Sequence, residues 1–161
     1  MARSLVAFAL LVVVACKGKE PGGAIAETAS AGGHVGIEDA ATAFAKALAS
    51  GDAGKIRAEM PPREAIAKYF ACDTMAKRIE DTAARAIAQP AAVPKGGTFD
   101  HLEDTQTEII DTDLDGCRVT EQLLAVRVGT AWKVGGETRL SSLWLVRLGK
   151  RWYGFDVPPA Q

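Results

Sequence analysis

The chain has 161 residues, 48% of them hydrophobic and 24% charged, a balance that excludes an intrinsically disordered protein and predicts one domain. Nineteen Lys and Arg against twenty Asp and Glu leave a net charge of −1, so there is no cationic excess to condense on a phosphate backbone, and nucleic acid is excluded as a partner. Three cysteines and two histidines, with no C-x-x-C pair, give no zinc cluster, and no dinucleotide, P-loop, serine-hydrolase or H-E-x-x-H motif is present.

Residues 1–15 carry one cation, Arg3, followed by twelve uncharged residues, SLVAFALLVVVA. This is the layout of an export signal. As a helix those twelve residues span about 18 Å, short of the ~30 Å that a permanent membrane crossing needs. Val13-Val14-Ala15-Cys16 resembles the lipobox of bacterial lipoproteins. That resemblance implies a diacylglycerol on the Cys16 sulfur, cleavage before it, further acylation of the new amine, and an oxidising compartment. Several acyl chains anchor far more firmly than one. Lys17 rather than Asp follows Cys16, which by the enterobacterial sorting pattern points to the periplasmic face of the outer membrane over the inner membrane.

Residues 16–36 read as the lipidated cysteine and a flexible tether, rich in Ala and Gly, with six of the sixteen glycines and only Ile25 and Val35 as large aliphatics. Twenty such residues reach about 25 Å. His34 is expected to be a solvated linker residue.

A single domain is expected over residues 37–157, with 158–161 as a tail. Ile37, Ala40, Ala41, Phe44, Ala47 and Leu48 fall on one helical stripe that Ser50-Gly51 terminates. Asp52 caps a second short helix, and Pro61-Pro62 breaks the chain before a third that turns Ile66, Tyr69 and Phe70 inward. Asp73 opens a fourth to Ala88, with Met75, Ile79, Ala83, Ala86 and Ile87 on one side, ended by Gln89-Pro90. Residues 91–97 are turn-forming. Strands are predicted at 105–112, 117–128, 139–148 and 151–157, punctuated by Asp115-Gly116, Gly129-Thr130, Gly135-Gly136 and Gly149-Lys150. Residues 132–134 form a fifth strand or continue a neighbour. The expected class is α+β, with N-terminal helices packed on a curved antiparallel sheet of four or five strands. Its core fills without a cofactor.

Ala41 to Asp52 (ATAFAKALASGD), the helices after it and the closing Trp152-Tyr153-Gly154-Phe155-Asp156-Val157 resemble the cone-shaped nuclear transport factor 2-like fold, which includes ketosteroid isomerase-like enzymes. The resemblance covers residues 37–157 and implies a cone cavity that Tyr69, Asp111 and Trp144 would line. The fold hosts isomerases, hydratases and noncatalytic modules, so it assigns no reaction.

In an exported chain whose Cys16 carries lipid, Cys72 and Cys117 have one internal pairing, a structural disulfide; two free buried thiols and a redox pair are the alternatives. Asp100 and His101, followed by Glu103 and Asp104, are the one place where an imidazole meets carboxylates, and Asp100, His101 and Asp111 are the candidate catalytic groups. Following Gly96-Gly97, this run reads as a solvated loop. Asp111, Asp113 and Asp115 match the opening of a calcium loop, but Gln122 stands where the bidentate Glu belongs, and an Asp-Gly hairpin turn explains the same residues. Five of the ten aromatics, Trp132, Trp144, Trp152, Tyr153 and Phe155, crowd the last thirty residues as core or as a ligand pocket. The expected function is a noncatalytic, lipid-anchored cell-envelope module for a small apolar ligand or an envelope protein. The alternatives are a cavity enzyme with an Asp or His base and a structural protein that dimerises through its sheet.

Overall fold

The computed structural model describes residues 32–88, 93–114 and 116–156. The expected signal segment, Cys16, most of the tether, the 89–90 helix stop, Asp115 and the 158–161 tail lie outside the described residues, as does the side chain of Ala86. Among the described residues the order is helices α1 (Ile37–Ser50), α2 (Ala53–Glu59), α3 (Arg63–Tyr69) and α4 (Asp73–Ala88). Strands follow: β1 (Thr98–Ile110), β2 (Asp113–Leu114), β3 (Cys117–Arg118), β4 (Leu123–Val134), β5 (Glu137–Leu148) and β6 (Arg151–Asp156). The class is α+β: helices packed on an unclosed, four-stranded antiparallel sheet in the order β1-β4-β5-β6, beside a separate β2-β3 hairpin.

The helix boundaries follow local chemistry. The α1 stripe is buried at Ala40, Ala41, Phe44, Ala47 and Leu48, and the helix stops where Gly51 takes φ 64° and donates its N–H to the Leu48 carbonyl. The Asp52 carboxylate accepts the N–H groups of Gly54 at 2.8 Å and Lys55 at 3.1 Å, capping α2. Pro61-Pro62 separates α2 from α3, whose Ile66 and Tyr69 are buried, as is Phe70 just beyond it.

Strand register sorts the sheet residues onto two faces. Val126, Val128, Leu143, Leu145 and Gly154 share one face, and α1 crosses it, reaching from β6 and β5 to the opposite edge strand β1. Gly154 allows this approach, since a Cβ there would stand 2.5 Å from the ring of Phe44. The other face holds Glu108, Ile110, Ala125, Trp144, Val146 and Tyr153. At its Ile110 end this face is covered by helical residues and the small hairpin; towards Leu140 it is exposed.

Four expectations are corrected. Strand β1 starts at Thr98, so Asp100, His101 and Glu103 stand in a strand and not in a loop. Thr98, Phe99, His101 and Leu102 pair with residues 130–133, while Asp100 and Glu103 fall at the two register shifts; the first shift sets the half-buried Phe99 and Leu102 three residues apart and so breaks the alternation that marks a strand. Gly129-Thr130 is not a turn but the middle of β4, which continues through residues 132–134. A Cβ on Gly129 would lie 2.9 Å from that of Glu103 beside the second register shift, so this glycine serves close approach of the backbones. The run 117–128 is two elements, β3 and β4, with a bend at Thr120 and Glu121. His34 is not a solvated linker: its backbone exchanges two hydrogen bonds with Trp152, and its ring meets Glu59 at 2.8 Å. Gly33 lies against the Tyr153 ring, so residues 33–34 already belong to the folded unit.

Gly135-Gly136 and Gly149 behave as hairpin residues, with φ of 58°, 92° and 64°.

Candidate functional site

A disulfide joins Cys72 and Cys117 across 45 positions of sequence, with Cα atoms 5.9 Å apart. Cys72 immediately precedes α4, and Cys117 pairs with Leu114 in the β2-β3 hairpin. The bond therefore fixes α4 relative to the hairpin. Three further bonds fasten the same junction: Ala71 N–H to the Arg118 carbonyl, Thr120 N–H to the Tyr69 carbonyl, and the Thr120 hydroxyl to the Lys68 carbonyl; Val119 N–H to the Thr112 carbonyl closes the hairpin side itself.

Between these two stapled elements and the sheet lies a cleft of about 270 Å³. Its floor is Ala125, Ile110, Trp144 and Phe155, Leu114 forms the hairpin side, and Arg78 of α4 and Glu108 of β1 stand at its margins. Ile110, Ala125 and Phe155 are buried, whereas Trp144 is half-buried. Phe155 is held from behind by stacking on Phe70, ring centroids 6.2 Å apart. An apolar floor with a charged margin has the composition of a site for an apolar body that carries a polar group.

Of the cavity candidates, Trp144 lines this cleft, and Tyr69 and Asp111 do not. Tyr69 is buried under the β5-β6 turn beside Gly149, with the Lys68 ammonium 5.1 Å from its ring centre. Asp111 is exposed and accepts the Gln122 side-chain N–H at 2.5 Å.

Asp100 and His101 are brought together, but on the exposed first half of β1. His101 Nδ1 is 3.1 Å from Asp100 and its Nε2 is 3.0 Å from Glu103, while Lys133 Nζ lies 3.4 Å from Asp100. The hydrogen bond from His101, reinforced by Lys133, holds the Asp100 carboxyl below its ordinary range. These groups satisfy one another at the surface, away from the residues of the cleft. Asp113 accepts the Gly116 N–H at 2.7 Å, which closes the hairpin turn, and among the described residues no group of three His, Cys, Asp or Glu is arranged to hold a metal.

A second cleft, of about 240 Å³, runs between α4 and the α2-α3 junction over Met60, Pro61, Ile66, Ile79 and Ala83, edged by Arg57, Arg63 and Glu80. It lacks aromatic residues.

Of the main cleft's lining, the sequence pointed to Trp144 and, through the terminal aromatic cluster, to Phe155. Arg78, Glu108, Ile110, Leu114 and Ala125 come from four elements with no common spacing; the one usable signal for them was Leu114 three residues before Cys117. Among the described residues no helix is long and apolar enough to cross a membrane. Compared with protein-family models, curated proteins and solved structures, the chain matches none.

Proposed function

We propose that this protein is a noncatalytic module held by an acylated Cys16 at the periplasmic face of the bacterial outer membrane, where it binds a small, mainly apolar ligand carrying one polar group. The observation that carries the binding reading is the cleft bordered by Trp144, Phe155, Leu114, Arg78 and Glu108, stapled on two sides by the Cys72–Cys117 bond. The reading of the domain as nuclear transport factor 2-like is supported by the passage of α1 across an open antiparallel sheet. The reading of residues 13–16 as a lipobox rests on the sequence.

The test uses the full chain in lipid nanodiscs titrated with the amphipathic fluorophore anilinonaphthalene sulfonate, with empty nanodiscs subtracted. Saturable binding at one site is expected, abolished by Trp144→Ser and preserved by Leu140→Ser, which removes an exposed leucine outside the cleft. Equal binding by the two variants refutes the assignment.

A further inference from the structure

The sheet has two edges, and they differ. The β6 edge is partly closed by His34, whose backbone pairs with Trp152. Among the described residues nothing pairs with the outer edge of β1. The first half of β1 carries the two register shifts and the Asp100, His101 and Glu103 cluster, features that discourage an incoming strand. The second half is different. From Thr105 to Ile110 the pairing with β4 runs without a shift, and Thr105, Gln106, Thr107, Glu108 and Ile109 are all exposed, Ile109 at 55%. This stretch has high strand propensity and one charge.

Symmetry narrows what can add to it. Two copies joined edge to edge about a two-fold axis perpendicular to the sheet keep like faces together, so the axis must pass through a residue and not between two. Centred on Gln106, Asp104 opposes Glu108; centred on Glu108, that acid opposes itself. Centred on Thr105, the pairing runs into the shifted half; centred on Ile109, it leaves the strand at Asp111. Centred on Thr107, Gln106 meets Glu108, Thr105 meets Ile109 and Thr107 meets itself. That arrangement pairs Thr105 through Ile109 within the straight segment and opposes no like charges.

We propose that the outer edge of β1 is a homodimer interface, pairing antiparallel with a second copy of this chain about a two-fold axis at Thr107. The sheet then runs continuously through eight strands, and Ile109 is covered by Thr105 of the partner subunit. The inference is independent of what the cleft binds.

Oxidative cross-linking of the full chain in membranes tests it. Thr107→Cys places two thiols opposite each other across the axis, whereas Thr105→Cys does not. The Thr107→Cys chain is expected to give a disulfide-linked dimer several-fold above Thr105→Cys, with the parent chain setting the background. In the Thr107→Cys chain, adding Gln106→Glu sets an acid against Glu108 at two places in the dimer and lowers the yield several-fold, and Gln106→Lys raises it. All three positions are surface sites, so folding, checked by circular dichroism, is preserved. Equal cross-linking by the two cysteine variants, or indifference to the sign of charge at residue 106, overturns the proposal; a dimer that forms but ignores both belongs to another surface.

Discussion

Removing the Cys72–Cys117 bond tests how this small domain is stabilised. The variant is Cys72→Ser with Cys117→Ala: Cys72 is half-buried and tolerates a hydroxyl, but Cys117 is 2% exposed and a serine there would bury an unpaired polar group. The bridged residues are 45 apart, and opening a loop of that length in the unfolded chain costs about 4 kcal/mol of native stability by the chain-entropy estimate. That is a large part of the ~5–15 kcal/mol a domain of this size possesses. It corresponds to a fall in Tm on the order of 15 °C. Urea denaturation monitored by circular dichroism, with and without a dithiol reductant, is the assay. The parent chain should lose about 4 kcal/mol on reduction and converge on the variant, which should ignore the reductant. The denaturant slope should rise as the released chain expands. A loss below about 1 kcal/mol would refute the loop-closure reasoning and assign the junction to the backbone bonds that Ala71 and Thr120 make there.

Three other changes probe separate parts of the fold. Gly154→Ala drives a Cβ into the fully buried Phe44 ring and should cost about 1–3 kcal/mol, with Phe44→Leu recovering part of it in a double-mutant cycle followed by thermal denaturation. The buried Trp132 indole N–H reaches both the Thr130 hydroxyl at 3.0 Å and the Ser141 hydroxyl at 2.8 Å, so Ser141→Ala alone should cost little. Thr130→Val with Ser141→Ala strands the donor and should cost about 1–3 kcal/mol, more than the sum of the single changes, in urea denaturation. Two backbone N–H groups hold the Asp52 carboxyl below its ordinary range, so its stabilisation is complete above the carboxylate range and is lost as pH falls through the lowered folded value. Asp52→Asn should therefore flatten the acid limb of the stability profile below about pH 4, while leaving neutral stability closer to the parent than Asp52→Ala does.

The helical half was legible because its signals are local. Gly51, Asp52 and Pro61-Pro62 act within a residue or two of themselves, and the stripe through Phe44 and Leu48 states which side turns inward. The strand half was harder, because its irregularities depend on what lies opposite. Gly129 looks like a turn glycine until the register shift beside Glu103 is seen across from it. The first half of β1 carries no periodic mark, because the register shift at Asp100 sets its two half-buried residues, Phe99 and Leu102, three apart. His34 sits in tether-like composition, yet the free edge of β6 recruits it by backbone pairing, which is blind to side-chain type. The cleft was legible only at its aromatics, Trp144 and Phe155: its walls are set by the register that aligns Glu108 with Ala125 and by the bond at Cys117, neither of which leaves a spacing in the sequence.

Intact-mass analysis of the protein extracted from its native membranes tests the anchored-module reading most directly. The proposal predicts a chain that begins at Cys16 and carries the added mass of diacylglycerol and an amide-linked acyl group. A chain that retains Met1 and has no lipid attached contradicts it.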